Sequence, residues 1–218
     1  MKIDEKTVNI LKNFSTINPS ILIEEGNVLM TISPTKTVLA KATVTTNFTK
    51  RFAIYNLNQF LGLFSLFQDP EFEFNDSYVK ASANNTSCNY TYADESTIKV
   101  PSKKALTMPS VNASVKLTED AFREVVKASS MFSLPEIAFV GDGTNVYLQA
   151  IDSKNPTGNI FSIKIDNTDK EFKAIFKTEN LIKIINGDYD VDISSKGISH
   201  LKGNNVEYWI AVEATSTF

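Results

Sequence analysis

At 218 residues, 42% of them hydrophobic and 22% charged, the chain is long enough for one large domain or for two of about 100 residues, each with its own core. A formal net charge of −3 and a pI near 5.3 exclude a global basic patch of the kind that advertises nucleic acid, although not basic residues gathered on one surface. No apolar run reaches the length of a membrane span, the first five residues lack the apolar stretch of a signal peptide, and the single Cys88 excludes an internal disulfide or a cysteine-cluster metal site and fits a reducing cytoplasm.

The first expected element is a helix over Asp4–Phe14, with Asp4 as N-cap and Glu5 at the positive end of the helix dipole. Thr7, Ile10, Leu11 and Phe14 share one face, and Lys2, Lys6, Asn9, Lys12 and Asn13 take the rest. Asn18-Pro19 stops it, and strands at Ile21–Ile23 and Val28–Ile32 are expected to form a hairpin about Glu25-Gly26-Asn27. A second helix, Leu57–Phe67, follows the N-cap Asn56 and is apolar almost all round. After Asp69-Pro70 come strands at Phe72–Phe74 and Tyr78–Ala81. Residues 98–112, with Pro101 and Pro109 and no clear period, read as a connector between domains at 1–97 and 113–218.

Beyond the connector, two similar start signals, Lys116-Leu117-Thr118-Glu119-Asp120 and Phe176-Lys177-Thr178-Glu179-Asn180, each end a strand at a threonine cap and open a helix with an acid. The third helix, Glu119–Met131, buries Phe122, Val125, Val126 and Ser129 and turns Arg123, Lys127 and Ser130 outward. The fourth, Glu179–Ile185, is expected to bury Leu181, Ile182 and Ile185 and to present Asn180 and Lys183. Hairpins are expected at Ile137–Val140 with Val146–Ala150 and at Tyr189–Ile193 with Ile198–Leu201, and the chain closes with the apolar strand Tyr208–Val212. The pattern is α+β: a short helix followed by two strands, four times, twice on each side of the connector.

Enzyme motifs are absent: there is no phosphate-cradling loop and no nucleophile elbow. Gly141-Asp142-Gly143 reads as a hairpin turn. His200 is the only histidine, so a two-histidine metal motif is impossible, and its default role is structural or at the surface. Asp188, Asp190 and Asp192 lack the glycine and glutamate of a calcium loop, and period-two spacing puts them on one face of a strand. Basic side chains on or beside the helices remain: Lys2, Lys6, Lys12, Arg123, Lys127, Lys177 and Lys183, with Glu124 the main acid outside a first turn.

Four segments carry a resemblance: Ile10–Asn18 (ILKNFSTIN), Tyr55–Leu61 (YNLNQFL), Asp94–Ile98 (DESTI) and the ending Tyr208–Thr217 (YWIAVEATST). In order and spacing they make the chain similar to the sliding clamps of T-even-type bacteriophages, the DNA polymerase processivity factors; the match is looser between Thr144 and Lys177. The resemblance implies a DNA-clamp fold of two similar domains, each with two helices on antiparallel sheets, assembled as a homotrimeric ring. It implies no catalysis and no cofactor, topological and sequence-independent hold on double-stranded DNA, loading by an ATP-dependent clamp loader, tethering of DNA polymerase, support of late transcription, no membrane, and residence in the cytoplasm of an infected bacterial host. With the helices lining the hole, as the resemblance implies, and four per chain, arithmetic agrees with three chains and not two. Twelve helices about 10 Å apart enclose a hole about 28 Å wide once a helix diameter is subtracted, whereas eight leave about 15 Å, less than the roughly 20 Å of a duplex.

The resulting candidate DNA-facing set is Lys2, Lys6, Asn9, Lys12, Arg123, Lys127, Lys177 and Lys183. A partner-peptide pocket is expected at Leu106, Met108, Pro109, Val111 and Phe218, and a subunit interface at an exposed aromatic pair, Tyr90 and Tyr92. No metal site is expected. The competing readings are a β-rich structural protein of a virion or other assembly, and a sugar- or metal-binding β protein resting on Asp188–Asp192.

Overall fold

A computed structural model describes residues 1–102, 107–155 and 157–218. The chain divides into two compact units, Met1–Lys103 and Lys104–Phe218.

In the first unit the order is α1 (Glu5–Ile17), β1 (Ile21–Ile23), β2 (Gly26–Ile32), β3 (Val38–Phe48), β4 (Phe52–Ile54), α2 (Leu57–Leu66), β5 (Glu71–Phe74), β6 (Tyr78–Ala83), β7 (Thr86–Thr91) and a 3-10 turn at Glu95–Thr97. Asp4 caps α1: one carboxylate oxygen accepts from the Thr7 N–H at 3.0 Å, and the other takes the hydroxyls of Thr7 at 2.7 Å and Thr46 at 2.6 Å. The helix runs three residues past the expected end because Ile17 is itself buried; Asn18 closes it by giving its N–H to the Phe14 carbonyl at 2.9 Å. The Asn18 side chain then donates to the Ile32 carbonyl at 2.9 Å, tying the helix end to β2.

The expected hairpin of β1 with β2 does not form. Instead β1 pairs antiparallel with β4, Leu22 opposite Ala53, while β2 pairs with β3. Gly26, at φ +106°, turns the chain out of β1 into a direction that a non-glycine residue reaches only with strain. β3 is the longest strand, at 11 residues, and its alternation sends Val44, Thr46 and Phe48 inward and Thr43, Thr45 and Asn47 outward. β5, β6 and β7 form an antiparallel sheet in that order. Phe60 and Phe64 of α2 lie against Phe72 of β5, ring centroids 6.1 and 5.1 Å away, and Phe60 meets Tyr90 of β7 edge-on at 5.6 Å.

The second unit runs β8 (Ala113–Leu117), α3 (Glu119–Phe132), β9 (Glu136–Asp142), β10 (Asn145–Ile151), β11 (Phe161–Asn167), β12 (Glu171–Lys177), α4 (Thr178–Leu181), β13 (Tyr189–Ser194), β14 (Ile198–Lys202) and β15 (Val206–Ala211). One antiparallel sheet has the order β11-β10-β9-β12 and another series the order β8-β13-β14-β15. Thr118 caps α3 as expected, accepting from the Ala121 N–H. Ser133 ends that helix in the left-handed region at φ 54°. The Gly141-Asp142-Gly143 stretch is a hairpin turn: Asp142 accepts from the N–H groups of Thr144 and Asn145 at 2.9 and 2.7 Å.

The fourth helix differs most from expectation. It is one turn long, and it is not capped by Thr178, whose hydroxyl donates to the Leu134 carbonyl at 3.2 Å. Beyond Leu181 the chain tightens to i→i+3 bonds, Lys183 N–H to Asn180 and Ile184 N–H to Leu181. A three-residue period replaces 3.6, so the inward set is Asn180, Leu181 and Ile184, and Ile182 stands 53% exposed.

Candidate nucleic-acid interface

α1 buries Thr7, Val8, Ile10, Leu11, Phe14 and Ile17, which leaves Lys6, Asn9 and Lys12 on its open side, as expected. Neither lysine has an ion-pair partner among the described residues. Lys2, just before the helix, differs: its ammonium hydrogen-bonds the Asp69 carboxylate, which pushes its pKa up. α2 adds no basic residue and exposes Asn58, Gln59, Gly62, Ser65 and Leu66.

α3 buries Ala121, Phe122, Val125, Ala128 and Ser129, and turns Arg123, Glu124, Lys127 and Ser130 outward. Val126, expected inside, is half-buried. Arg123 is not a free cation. It donates to Glu119 at 2.5 Å, one helical turn back, with Asp120 at 4.0 Å. Counting Glu119, Asp120 and Glu124 against Arg123 and Lys127, the face of α3 is not net positive; Lys127 is its unpaired cation among the described residues. Lys177 is exposed at the N-cap position of α4 and Lys183 is half-buried, while Asn180, expected to be presented, is 3% exposed. The cations thus fall into two classes. Lys6, Lys12, Lys127 and Lys177 are open to an anionic ligand, and Lys2 and Arg123 are partly neutralised by carboxylates of their own unit.

The model for DNA polymerase processivity factors matches residues 2–100, and that for the C-terminal part of the gp45 sliding clamp matches 114–214. The sliding clamp of Vibrio phage KVP40 is 31% identical over 221 residues, covering 98% of this chain and 100% of that one. This chain belongs to the sliding-clamp family. The sliding clamp of Enterobacteria phage T4 is 28% identical across 100% of the chain and 99% of its own length. Solved clamps share the fold at low identity: PCNA from Thermococcus kodakaraensis has a TM-score of 0.70 at 14% identity, covering 95% of this chain and 96% of its own. A. fulgidus PCNA bound to the C-terminal region of FEN-1 also gives 0.70 at 14%, covering 96% of each chain. A Helicobacter pylori beta clamp bound to a DNA ligase peptide gives 0.63 at 12%, covering 95% of this chain and 64% of that one. The sliding clamp described here is therefore a DNA polymerase processivity factor and not an enzyme, and its phage relatives place it in an infected host cell. No helix among the described residues is long and apolar enough to cross a membrane.

Other expected site residues fall as follows in this clamp. Tyr90 and Tyr92 are not an exposed pair. Tyr90 donates to the Asn56 carbonyl at 3.1 Å, and Tyr92 stacks on Phe52 at 5.0 Å with its hydroxyl buried and without a hydrogen-bond partner among the described residues; burial pushes its pKa up to about 12. Both close the aromatic core of the first unit. What β7 does offer is its edge, since β6 is its only ladder partner among the described residues.

Leu106 lies outside the described residues. Met108 is half-buried, and Pro109 and Val111 are exposed. Phe218 stands beside β12, where the Thr217 and Lys173 backbones exchange two 2.9 Å bonds, whereas Val111 leads to Asn112, whose N–H pairs with Ile193 on β13. These residues therefore approach different sheets of the second unit.

His200 stacks on Trp209 at 4.3 Å, 2.9 Å from Glu207; burial lowers its pKa, against the raising effect of that carboxylate. Asp188 accepts from the Glu119 N–H at 2.8 Å and so helps to cap α3, and Asp192 holds Ser114 at 2.7 Å and Lys202 at 2.8 Å. Among the described residues no group of three His, Cys, Asp or Glu side chains is placed to hold a metal ion.

Proposed function

We propose that this clamp assembles head to tail as a homotrimeric ring that encircles duplex DNA without reading sequence, is loaded by an ATP-dependent clamp loader in the cytoplasm of the host, tethers the polymerase by topology and supports late transcription. The observation that supports the assembly is that each unit has terminal strands with a single ladder partner among the described residues, of which β7 in the first and β11 in the second are the edges we assign to the contact. Exposed apolar side chains stand in both units: Leu66 at the end of α2 is 67% exposed, and Met131 at the end of α3 is 66% exposed. An edge on one unit meeting a different edge on the next chain is a heterologous contact, which closes into a ring when the rotation allows. The connector at 98–112 joins the two domains, 1–97 and 113–218, and its Met108, Pro109 and Val111 offer one docking surface for partner peptides, with Phe218, beside β12, a separate apolar contact.

On the inside of such a ring, Lys6, Lys12, Lys127 and Lys177 meet phosphates, joined by Asn9 and Lys183 and more weakly by Lys2 and Arg123. Contacts of this kind position a duplex without specifying bases and weaken with salt, as sliding requires. Sedimentation equilibrium tests the assembly. A species near three times 24.2 kDa, dissociating reversibly on dilution, is expected; a monomer at every concentration overturns the ring.

A further inference from the structure

Three strands of the second unit end a sheet and so have a backbone edge to spare: β8, β11 and β12. They are not equally open. β12 is closed by the segment 213–217: besides the two Thr217–Lys173 bonds, Glu213 gives its N–H to the Ile175 carbonyl at 2.8 Å, and the Ile175 N–H goes to Ser216 Oγ at 2.9 Å. β8 is closed by two charged side chains, one from β11 and one just ahead of β12. Asp166 accepts from the Lys116 N–H at 3.1 Å, and the Lys170 ammonium donates to the carbonyl of Asn112, the residue before β8, at 2.7 Å. β11 keeps an open outer edge over Phe161–Lys164 among the described residues.

A β-bulge aims the carboxylate. Tyr147 stands opposite Lys164 and Val146 opposite Asp166, so Ile165 is an extra residue in β11. Regular alternation from Phe161 and Ile163 would turn Ile165 inward and Asp166 out. The extra residue instead gives Asp166 the side of buried Val146, and from there it reaches β8. A bulge and an inward charge are two devices by which proteins blunt a strand edge, and both sit directly after Lys164.

Resting on the reading that β7 of one chain pairs with an edge of the next, we propose that Asp166 and Lys170 determine the specificity of ring assembly: by occupying β8 they leave β11 as the edge that accepts β7 of a second copy. β8 lies within one side chain's reach of β11, so an arriving strand meets two candidate edges. Pairing on β8 breaks a charge-assisted hydrogen bond at each end, whereas pairing on the open stretch of β11 displaces water. The choice matters for closure, because a head-to-tail contact with the wrong rotation propagates as an open chain instead of a ring.

The test traps the contact in the full-length protein as a disulfide. That bond needs Cα atoms about 4.4–6.8 Å apart, the spacing of directly opposed residues on paired strands. In a Cys88→Ser background, one cysteine replaces Ser87, Asn89 or Thr91 on β7, and a second replaces Ser162 or Lys164 on β11 or Ser114 or Lys116 on β8; all are exposed. The β7–β11 pairs should trap tenfold or more over the β7–β8 pairs. Asp166→Ala with Lys170→Ala should cut that preference about tenfold, as the loss of a charge-assisted bond predicts, and should add species heavier than the trimer. Asp166→Asn, which keeps an acceptor for the Lys116 N–H, should retain the preference, with folding of each variant verified by circular dichroism. The proposal is overturned if β8 traps as well as β11 in the Cys88→Ser background, if neither strand traps, or if the double variant keeps the preference. A monomer in sedimentation would remove the ring itself; given a trimer, the trapping pattern alone decides the edge.

Discussion

Replacing Asp4 by alanine removes three interactions at once: the cap on the Thr7 N–H and the acceptor for the hydroxyls of Thr7 and Thr46. Thr7 is 0% and Thr46 5% exposed, so neither hydroxyl turns to water when the carboxylate goes. Loss of an N-cap costs about 1 kcal/mol, and each stranded buried donor about 1–3 kcal/mol. With both hydroxyls at the low end because they rotate, Asp4→Ala should lose about 3 kcal/mol, or about 6–12 °C in Tm if the chain unfolds as one unit. Asp4→Asn keeps a cap acceptor and should fall between alanine and the parent.

Burial of Asp4 opposes ionisation, but hydrogen bonds from Thr46 and Thr7 outweigh it and hold the carboxyl well below the usual carboxylate range. The folded state therefore binds this proton less readily than the unfolded chain. The stabilisation is complete above about pH 4, is lost as pH falls through the folded-state value, and should be missing from the acid limb of Asp4→Asn. Urea unfolding followed by circular dichroism, in a cycle with Thr46→Val, measures the coupling. A loss under 1 kcal/mol for Asp4→Ala, or strict additivity with Thr46→Val, refutes the network.

Gly141→Ala places a Cβ 2.5 Å from the Phe172 ring and 2.7 Å from the Lys170 carbonyl, and thermal unfolding should show a loss of about 1–3 kcal/mol. Phe14→Ala empties a position that is 0% exposed on α1 and should lose about 3–5 kcal/mol by the same measurement. On DNA, Lys127→Ala should flatten the plot of log affinity against log salt by about 0.9 per phosphate contact removed, and Arg123→Ala by less, because Glu119 already holds that guanidinium; equal slopes for the two would contradict the division into open and neutralised cations.

Local chemistry was legible where one residue decides it. Asp4, Asn56 and Thr118 each make the cap bond their sequence position announces. Three of the four expected hairpins form, at Phe72–Phe74, Ile137–Val140 and Tyr189–Ile193, because each has its partner a few residues away. Non-local choices were not legible: β1 could pair with β2 or β4, and only the assembled unit selects β4. β3 was missed although Ala42, Val44, Thr46 and Phe48 alternate with Thr43, Thr45 and Asn47, since its threonines weaken the apolar signal while one of them, Thr46, faces inward to Asp4. Tyr90 and Tyr92 show the same limit. Period-two spacing puts them on one face, but not which face is covered. On the candidate DNA surface the lysines could be read directly. The Arg123–Glu119 pair, four residues apart on one helix, was also within reach of the sequence, and it partly neutralises one of the candidate phosphate contacts.

The central claim is that this chain holds DNA by encircling it. The direct measurement loads the protein onto nicked circular DNA with its cognate loader and ATP, then follows retention by gel filtration before and after one restriction cut. A ring stays on the circle at moderate salt and is lost when the circle is opened. Equal retention on circle and linear product would show binding by surface contact and contradict the clamp account.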